Sequence, residues 1–331
     1  MQLFKTLCYF IFCTLLLCNQ AFSQDSVNIK SSVDSTVQIF NFNTASTIIN
    51  TVNKQRVTWV AGAHIVGYVG SLAGLYTIWY KNYPQTNFHF INDNKEWMQV
   101  DKVGHAYSAY IESRAGLEMW KWTGMSKNKS IWMGGLTGAA YQTTIEILDG
   151  FSAEWGWSWG DFAANTLGSG LLISQELAWG EQRISYKFSF HKKKYTDEQL
   201  NERSNQLYGR SLPERMFKDY NAQTYWLSIN LKSFFKQSKL PNWLNLAVGY
   251  GAENLFGPYA NAWTDINKNL VIRNDWSRYR QFYIAPDIDF TRIKTKSKFL
   301  KAVFFALNAF KFPSPSIEFS QGKLRWNWIH F

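Results

Sequence analysis

The sequence predicts an α+β protein in which an N-terminal bundle of about four glycine-rich helices precedes an antiparallel, β-rich half. Two patterns carry this prediction. Before residue 183, long apolar segments contain glycine and alanine three or four residues apart, a spacing that lets helices approach closely. Beyond residue 220, short segments alternate apolar and polar residues, which is the period of a strand with one buried face.

Four helices are predicted in a helical domain that spans residues 51–183. The first, from Val57 to Tyr80, has no formally charged residue and is long enough to cross a bilayer. Its small residues, such as Gly70 and Gly74, are spaced for close contact with another helix. The other three helices are expected at about 98–120, 130–148 and 159–180.

A β-rich domain is predicted at residues 221–331, after a charged, hydrophilic linker at 184–220. The last segment, from Arg325 to Phe331, is strand-like and ends in an aromatic residue, as bacterial outer-membrane barrels commonly do. The countable strands are fewer than the eight of the smallest such barrels. Two alternatives stay open: an amphipathic helix at Lys298–Phe310 that lies on a bilayer, or a soluble sheet that packs on the bundle. The other strands are expected near Tyr225–Phe234, Trp243–Tyr250, Gln281–Phe290 and Ser316–Phe319.

Residues 1–23 are typical of a secretory signal peptide, and an extended leader is expected at 24–50. Lys5 is the only charge in the first segment, the run Thr6–Cys18 is apolar, and Ala21-Phe22-Ser23 supplies small residues before the expected cleavage site. A retained membrane anchor is the alternative, although the apolar run is short for a spanning helix. We therefore expect export to the outer membrane or periplasm of a Gram-negative bacterium.

All cysteines of the chain, Cys8, Cys13 and Cys18, lie in this signal segment. A processed chain would have none, which excludes disulfides, thiolate catalysis and cysteine-ligated zinc from the mature protein. Leu17 stands directly before Cys18, where a lipoprotein signal has a small residue, so lipidation is disfavoured. The mature protein must then be stabilised by its core or by a membrane.

The chain is basic and strongly aromatic, with a net charge of +11 and sixteen tryptophans. In an exported protein, anionic lipid head groups suit such a surface better than nucleic acid does. Tryptophan and tyrosine also concentrate at membrane interfaces. Membrane lipid is therefore the predicted partner, an envelope protein is a second candidate, and nucleic acid is not expected. Solubility alone is the other explanation of the charge.

Short polar patterns interrupt the apolar helices. Asp101 and His105 are four residues apart, so both side chains project from one face of a helix. A carboxylate and an imidazole at this spacing can share a metal ion, or the carboxylate can orient the ring as in a general-base site. Glu146 lies between isoleucines and Asp149 follows three residues later. An acidic first turn explains Asp101 without any site, and a helix exit at Gly150 explains Asp149.

A third pattern consists of Ser158, Asp161 and Asn165. Ser158 and Asp161 have the spacing of a capping box, whereas Asn165, one turn later, is not needed for capping. We expect the three patterns to form one shared buried network, which is either structural or a catalytic or metal site. The candidate catalytic residues are Asp101, His105, Glu146, Asp149, Asp161 and Asn165, and the candidate ligands of a divalent metal are Asp101, His105 and Glu146.

In their order and spacing these patterns resemble the YfiM-like family of periplasmic or outer-membrane proteins, known as domain of unknown function 2279. Short lipoprotein members match about residues 98–175, and longer members are similar throughout. The order of motifs is also similar to that of VanZ-like membrane proteins. The resemblance implies a location and the position of a site, without an activity. It is carried by Asp101-Lys-x-x-His105, Glu146-x-x-Asp149-Gly150-x-Ser152 and Ser158-x-x-Asp161-x-x-x-Asn165-x-x-Gly168.

Two functions follow from the sequence. The first is an outer-membrane-associated envelope protein with a structural role, or one that binds lipid or a partner, built around the polar network. The second is a membrane-proximal hydrolase or transferase that acts on an envelope lipid or glycan. In the second function, Asp101, His105 and Glu146 would act as general base or metal ligands, with Asp161 and Asn165 orienting them. We favour the first, because neither a nucleophile nor a complete set of metal ligands is visible in the sequence.

Overall fold

A computed structural model describes residues 52–81 and 83–331 of the chain, without the side chains of residues 78 and 79. The predicted signal peptide and leader lie outside these residues. The described part is a mixed helical and sheet protein, as the sequence predicts, with the helices first and an antiparallel sheet in the C-terminal half.

The helical half begins with four long helices, close to the predicted positions. Asn53 caps the first of them, because its side chain accepts a hydrogen bond from the backbone of Arg56. Ser158 caps the fourth in the same way, by accepting from the backbone of Asp161. Both caps satisfy amide groups that a helix start otherwise leaves unpaired. The helices are α1 (Lys54–Leu75, continued by a π-helical turn at Tyr76–Tyr80), α2 (Val100–Trp122), α3 (Lys127–Gly150) and α4 (Trp159–Ala178).

Glycines bring α2, α3 and α4 into backbone contact. A Cβ atom added at Gly138 of α3 would lie 2.0 Å from the carbonyl oxygen of Ala109 in α2. One added at Gly168 of α4 would lie 2.0 Å from the carbonyl oxygen of Ala106, also in α2. Helix α2 therefore packs directly against a glycine of α3 on one side and a glycine of α4 on the other. A larger residue at either glycine would push the helices apart.

Helix α1 lies at the side of this three-helix core and uses its glycines differently. A Cβ atom at Gly70 or Gly74 would meet nothing within 4 Å among the described residues. The expectation that these glycines mediate close helix contacts is therefore wrong for the described chain. Among the described helices α1 alone is long and apolar enough to cross a membrane, and 11% of its apolar window is buried.

The C-terminal half is built on a six-stranded antiparallel sheet with strand order β10-β9-β8-β5-β4-β3. A short parallel pair, β1 with β2, and a separate hairpin, β6 with β7, lie outside it. The strands are β1 (Phe90–Ile91), β2 (Trp157–Ser158), β3 (Ile184–Phe190), β4 (Gln223–Asn230), β5 (Leu244–Glu253), β6 (Ala262–Thr264), β7 (Leu270–Ile272), β8 (Tyr279–Ile288), β9 (Ser314–Ser320) and β10 (Lys323–His330). The helices of this half are α5 (Glu198–Tyr208), α6 (Leu212–Lys218), α7 (Leu231–Phe234) and α8 (Lys298–Leu307).

One segment differs from its predicted role. Residues 184–220, expected to be a charged linker, contain the edge strand β3 and the helices α5 and α6. Strand β3 is hard to recognise from the sequence, because Lys187 in its middle indicates an exposed segment. In the fold the Lys187 side chain is fully buried and its ammonium lies 2.8 Å from the Asp287 carboxylate of β8.

The inner face of the sheet is buried and mostly polar, beside a small apolar cluster of Trp226, Ala247, Tyr283 and Ala285. Ser228, Ala247 and Ala285 occupy one row across three strands, and Asp287 lies on the same face. The sheet curls so far that the ring of His330, at the end of β10, stacks on that of Tyr283 with centroids 4.2 Å apart. The strands therefore bury their polar faces against one another.

The opposite face carries an apolar row that is partly exposed to solvent. Strand register places five residues, 41–53% exposed, side by side across β4, β5, β8, β9 and β10. We call this row the outer strip. It consists of Leu227, Val248, Ile284, Ile317 and Trp326.

The helical half covers another part of the same outer face. Tyr186 and Tyr225 belong to a core cluster that also contains Tyr110 and Leu172 from the helices. The Tyr186 hydroxyl donates to the carbonyl oxygen of Val103 in α2 at 3.0 Å. The two halves thus share one hydrophobic core, and the outer strip lies beyond its edge.

Candidate functional site

Lys102, on α2, is the centre of a cluster of carboxylates. Its ammonium lies 2.6 Å from Asp93, 2.8 Å from Asp161 and 3.3 Å from Asp101. Burial alone would lower the pKa of Lys102, but the charges of Asp101 and Asp161 outweigh this effect and raise it. Lys102 is therefore held as an ammonium ion that partly neutralises three carboxylates.

His105 lies one turn further along α2, with its two ring nitrogens in different surroundings. Nε2 is 3.9 Å from Asp101 Oδ1 and 3.7 Å from Asp161 Oδ1. Nδ1 is 3.2 Å from Asn165 Oδ1 and 3.7 Å from Glu146 Oε1. Burial opposes protonation of the ring, but the charges of Asp161, Asp101 and Glu146 outweigh it and raise the pKa of His105 to about 9.

Glu146 enters the cluster from α3 and is only 1% exposed. Its Oε2 atom accepts a hydrogen bond from the backbone of Ser158 at 3.3 Å, whereas Oε1 has no hydrogen-bond partner among the described residues. Burial raises the pKa of this carboxyl to about 8, against the opposing charge of His105. Asn165 of α4 is likewise fully buried, and its Nδ2 donor is without a partner in the described chain.

Asp161 and Asp149 complete the predicted set. Burial raises the pKa of Asp161 to about 7, although His105 and Lys102 lower it. Asp149 lies at the end of α3 and accepts a hydrogen bond from the Tyr80 hydroxyl at 2.6 Å. Burial raises its pKa to about 6. Asp149 therefore stands beside the cluster, with a partner of its own.

Sequence reasoning missed three members of the cluster. Asp93 lies in the loop before α2 and accepts from the hydroxyl of Ser158 at 2.6 Å as well as from Lys102. Tyr220 follows α6 and donates its hydroxyl to Asp101 at 2.7 Å. No local pattern marks Asp93 or Tyr220. Lys102 was part of the first pattern, and its position next to Asp101 was the available signal.

The arrangement brings together ligand atoms that could hold a metal ion. Atoms of Asp101, His105 and Asp161 all lie within 4.8 Å of one another. The sequence named Glu146 in place of Asp161, but Glu146 faces Nδ1, on the other side of the ring from Nε2. The side chains of Asp101 and His105 are 22% and 19% exposed, so the cluster reaches solvent along this edge.

Comparison with protein families gives one match, over residues 89–174, to the family described as "Predicted periplasmic lipoprotein (DUF2279)". The matched segment includes α2, α3, most of α4 and every carboxylate of the cluster. The family description supports an exported protein of the cell envelope. It names a lipoprotein, whereas leucine precedes Cys18 in this chain. Comparisons with curated proteins and with solved structures found no match.

Proposed function

We propose that this protein is a cell-envelope protein associated with the outer membrane, where the outer face of its sheet contacts lipid. The observation that carries the proposal is the outer strip, a continuous apolar row across five strands beside a buried polar face. Strands of a water-soluble sheet normally bury the apolar face and expose the polar one. The reverse order is the pattern of strands that face a bilayer.

The rows next to the outer strip extend the apolar surface. Phe282, Phe319 and Leu324 are paired across β8, β9 and β10, and all three are exposed. Trp328 is also exposed, two residues beyond Trp326 on β10. Apolar patches of this extent on an exported protein indicate an interaction surface, and exposed tryptophans suit the head-group region of a membrane.

Helix α8 supplies a second contact of the same chemistry. No residue of this helix is buried, and Phe299 and Leu307 are exposed. Lys298 and Lys301 are exposed on the same helix, after Lys296 in the preceding loop. An apolar helix with basic residues lies stably at an interface that contains anionic lipids, which makes lipid rather than a protein partner the favoured occupant.

Vesicle flotation tests this proposal. The chain, purified in detergent, is mixed with vesicles of phosphatidylethanolamine and phosphatidylglycerol, and the detergent is removed before centrifugation. We expect the protein to float with the vesicles. The double variant Ile284→Ser/Ile317→Ser removes two apolar side chains from the outer strip. It should bind vesicles at least about tenfold more weakly than the parent protein.

The control is Ile266→Ser, which changes an exposed isoleucine in the turn between β6 and β7, outside the outer strip. It should float like the parent protein. Thermal melts of all three proteins show whether the double variant is folded, because both substituted side chains are about half exposed. A parent protein that stays at the bottom of the gradient, or a folded double variant that floats equally well, would contradict the proposal.

A second candidate function is a membrane-proximal hydrolase or transferase that acts on an envelope lipid or glycan. It is favoured by the exposed edge of the cluster at Asp101 and His105, next to the unpaired oxygen of Glu146. The test incubates the protein with envelope lipids and glycan fragments and follows products by mass spectrometry. His105→Ala should reduce turnover by orders of magnitude while the melt is retained. Loss of folding in this variant, or equal turnover, would contradict this candidate function.

A further inference from the structure

The two ring nitrogens of His105 face different groups. Nδ1 lies 3.2 Å from Asn165 Oδ1, which is an acceptor, so Nδ1 carries a hydrogen. Nε2 faces Asp101 Oδ1 at 3.9 Å and Asp161 Oδ1 at 3.7 Å. These three atoms converge at distances too long for good hydrogen bonds. Either a proton on Nε2 or a metal ion between the three atoms would hold them together.

Lys102 does not supply that charge to His105, because it is shared among the carboxylates. Four carboxylates, of Asp93, Asp101, Glu146 and Asp161, surround one ammonium group and one imidazole. The cluster therefore has two more acidic groups than basic groups. Buried charges of one sign are costly unless they are paired or bind a cation.

We propose that Asp101, His105 and Asp161 bind one divalent transition-metal ion, whether or not the protein docks on lipid. The ligand atoms are Nε2 of the ring and one oxygen of each carboxylate, all within 4.8 Å of one another. Two of them project from one face of α2, four residues apart, and the third from the first turn of α4. Two helices that are packed through glycine therefore fix the ligand set.

The groups behind the ring support this assignment. Metal-bound histidines donate their second N–H to an oxygen that fixes the orientation of the ring. Asn165 Oδ1 takes this place at 3.2 Å, and the carboxylate of Glu146 lies 3.7 Å from the same nitrogen. Glu146 Oε1 and Asn165 Nδ2 are buried polar atoms without hydrogen-bond partners in the described chain. Both belong to side chains on the Nδ1 side of the ring, behind the proposed ligand atom Nε2.

The ligand chemistry selects the class of ion. One imidazole nitrogen and two carboxylate oxygens suit Zn²⁺, Mn²⁺ or Fe²⁺, whereas Ca²⁺ requires six to eight oxygens. Zinc bonds of about 2.0–2.2 Å bring ligand atoms to roughly 3.4 Å of one another. The observed separations of 3.7 Å and 3.9 Å are longer, so the carboxylates of Asp101 and Asp161 would move toward the ion on binding. Three protein ligands and a solvent-exposed edge leave a coordination position for water or a ligand.

Calorimetric titration of the detergent-purified, chelator-stripped chain tests the proposal with Zn²⁺ and Mn²⁺, and with Mg²⁺ and Ca²⁺ for comparison. We expect one Zn²⁺ or Mn²⁺ ion per chain, with micromolar or tighter affinity, and weaker binding of Mg²⁺ and Ca²⁺. Asp161→Asn, which keeps the shape of the side chain, should weaken binding about a hundredfold or more. Asn165→Ala should weaken it about tenfold, because it removes the group that orients the ring.

Matched controls change one histidine and one carboxylate outside the cluster, His89→Gln and Glu118→Gln, and should bind as the parent does. X-ray absorption spectroscopy of the Zn²⁺ complex reports the ligands of the ion directly, without any variant. It should show one imidazole nitrogen among oxygen ligands. An all-oxygen shell, millimolar binding by the folded parent protein, or unchanged affinity in a folded Asp161→Asn variant would overturn the proposal.

Discussion

The two halves of the molecule differ in how completely their buried charged groups are paired. On the inner face of the sheet, Lys187 and Asp287 are fully buried and form an ion pair at 2.8 Å. The Ser228 hydroxyl and the backbone of Phe312 also donate to Asp287, at 2.6 Å and 3.1 Å, and Lys187 donates to the carbonyl oxygen of Ile288 at 2.7 Å. Each charge therefore has partners from the fold itself.

In the helical half, the carboxylates outnumber their partners. Lys102 is shared among three acidic residues, and Glu146 Oε1 has no hydrogen-bond partner in the described chain. A pair such as Lys187–Asp287 is complete and needs nothing from outside the protein. In the helical cluster, four carboxyl groups face one ammonium group and one imidazole, and the cluster reaches solvent at one edge. A buried ion pair that the fold completes indicates structure, whereas a cluster with unpaired polar atoms and an exposed edge indicates a site.

The largest expected effect comes from breaking the complete pair. Asp287→Ala leaves Lys187 buried without its counter-charge, which should lower the free energy of unfolding by about 3–5 kcal/mol. Urea denaturation in detergent measures this loss. The double variant Lys187→Met/Asp287→Leu should lose less than Asp287→Ala alone, because the ammonium of Lys187 is removed together with its partner and only Lys311, 4.0 Å from Asp287, keeps a charge there.

The control for this prediction is an exposed ion pair. Glu118 and Lys121 lie 3.1 Å apart on α2, with half of the Glu118 side chain exposed. Glu118→Ala should change stability by less than about 1 kcal/mol. An Asp287→Ala variant as stable as Glu118→Ala would show that the buried pair is not essential to the sheet.

A second prediction concerns the helix contacts that create the incomplete cluster. Gly138→Ala places a methyl group 2.0 Å from the carbonyl oxygen of Ala109 and should cost about 1–3 kcal/mol, because α2 and α3 must separate. Gly70→Ala in α1 meets nothing within 4 Å in the described chain and should stabilise the helix by about 0.5–1 kcal/mol. Thermal melts compare the two variants. Equal shifts would contradict the different packing of α1 and of the three-helix core.

The smallest predicted effects concern how stability depends on pH, which should have opposite signs for a buried group in each half. Burial raises the pKa of Glu112, on α2, to about 8, so the folded state keeps a proton that the unfolded state releases above about pH 4.5. Its contribution to stability is therefore lost as the pH rises from about 4.5 to about 8. Burial lowers the pKa of His330, on β10, to about 4. Its contribution is lost in the opposite direction, as the pH falls from about 6.5 to about 4.

Urea denaturation at about pH 5 and about pH 8 measures the sum of the two contributions, which have opposite signs and are each expected to be about 1–2 kcal/mol. Compared with the parent protein, Glu112→Gln should be more stable at pH 8 relative to pH 5, because only the His330 contribution remains. His330→Gln should shift the difference between the two pH values in the opposite direction. Two variants that shift this difference in the same direction would contradict the prediction.

Much of the helical half could be predicted from the sequence, because its signals are local. The i, i+4 spacing of Asp101 and His105 places them on one helix face whatever the rest of the chain does. Ser158 and Asp161 likewise form the expected cap at the start of α4. The partners Asp93 and Tyr220 could not be predicted in this way, since Tyr220 lies 119 residues from Asp101. Only the tertiary fold brings Tyr220, between α6 and β4, to Asp101 on α2.

The sheet shows most clearly what cannot be predicted from the sequence, namely which face of a strand is buried. An alternating sequence determines that residues such as Ile284 and Ala285 lie on opposite faces of a strand, because side chains alternate along any extended backbone. It does not determine which face is inside, since that depends on what the other strands and the helices cover. Only the tertiary structure buries Lys187 with Asp287 and leaves the outer strip partly exposed. Local geometry is fixed by neighbours in the chain, whereas burial is fixed by neighbours in space.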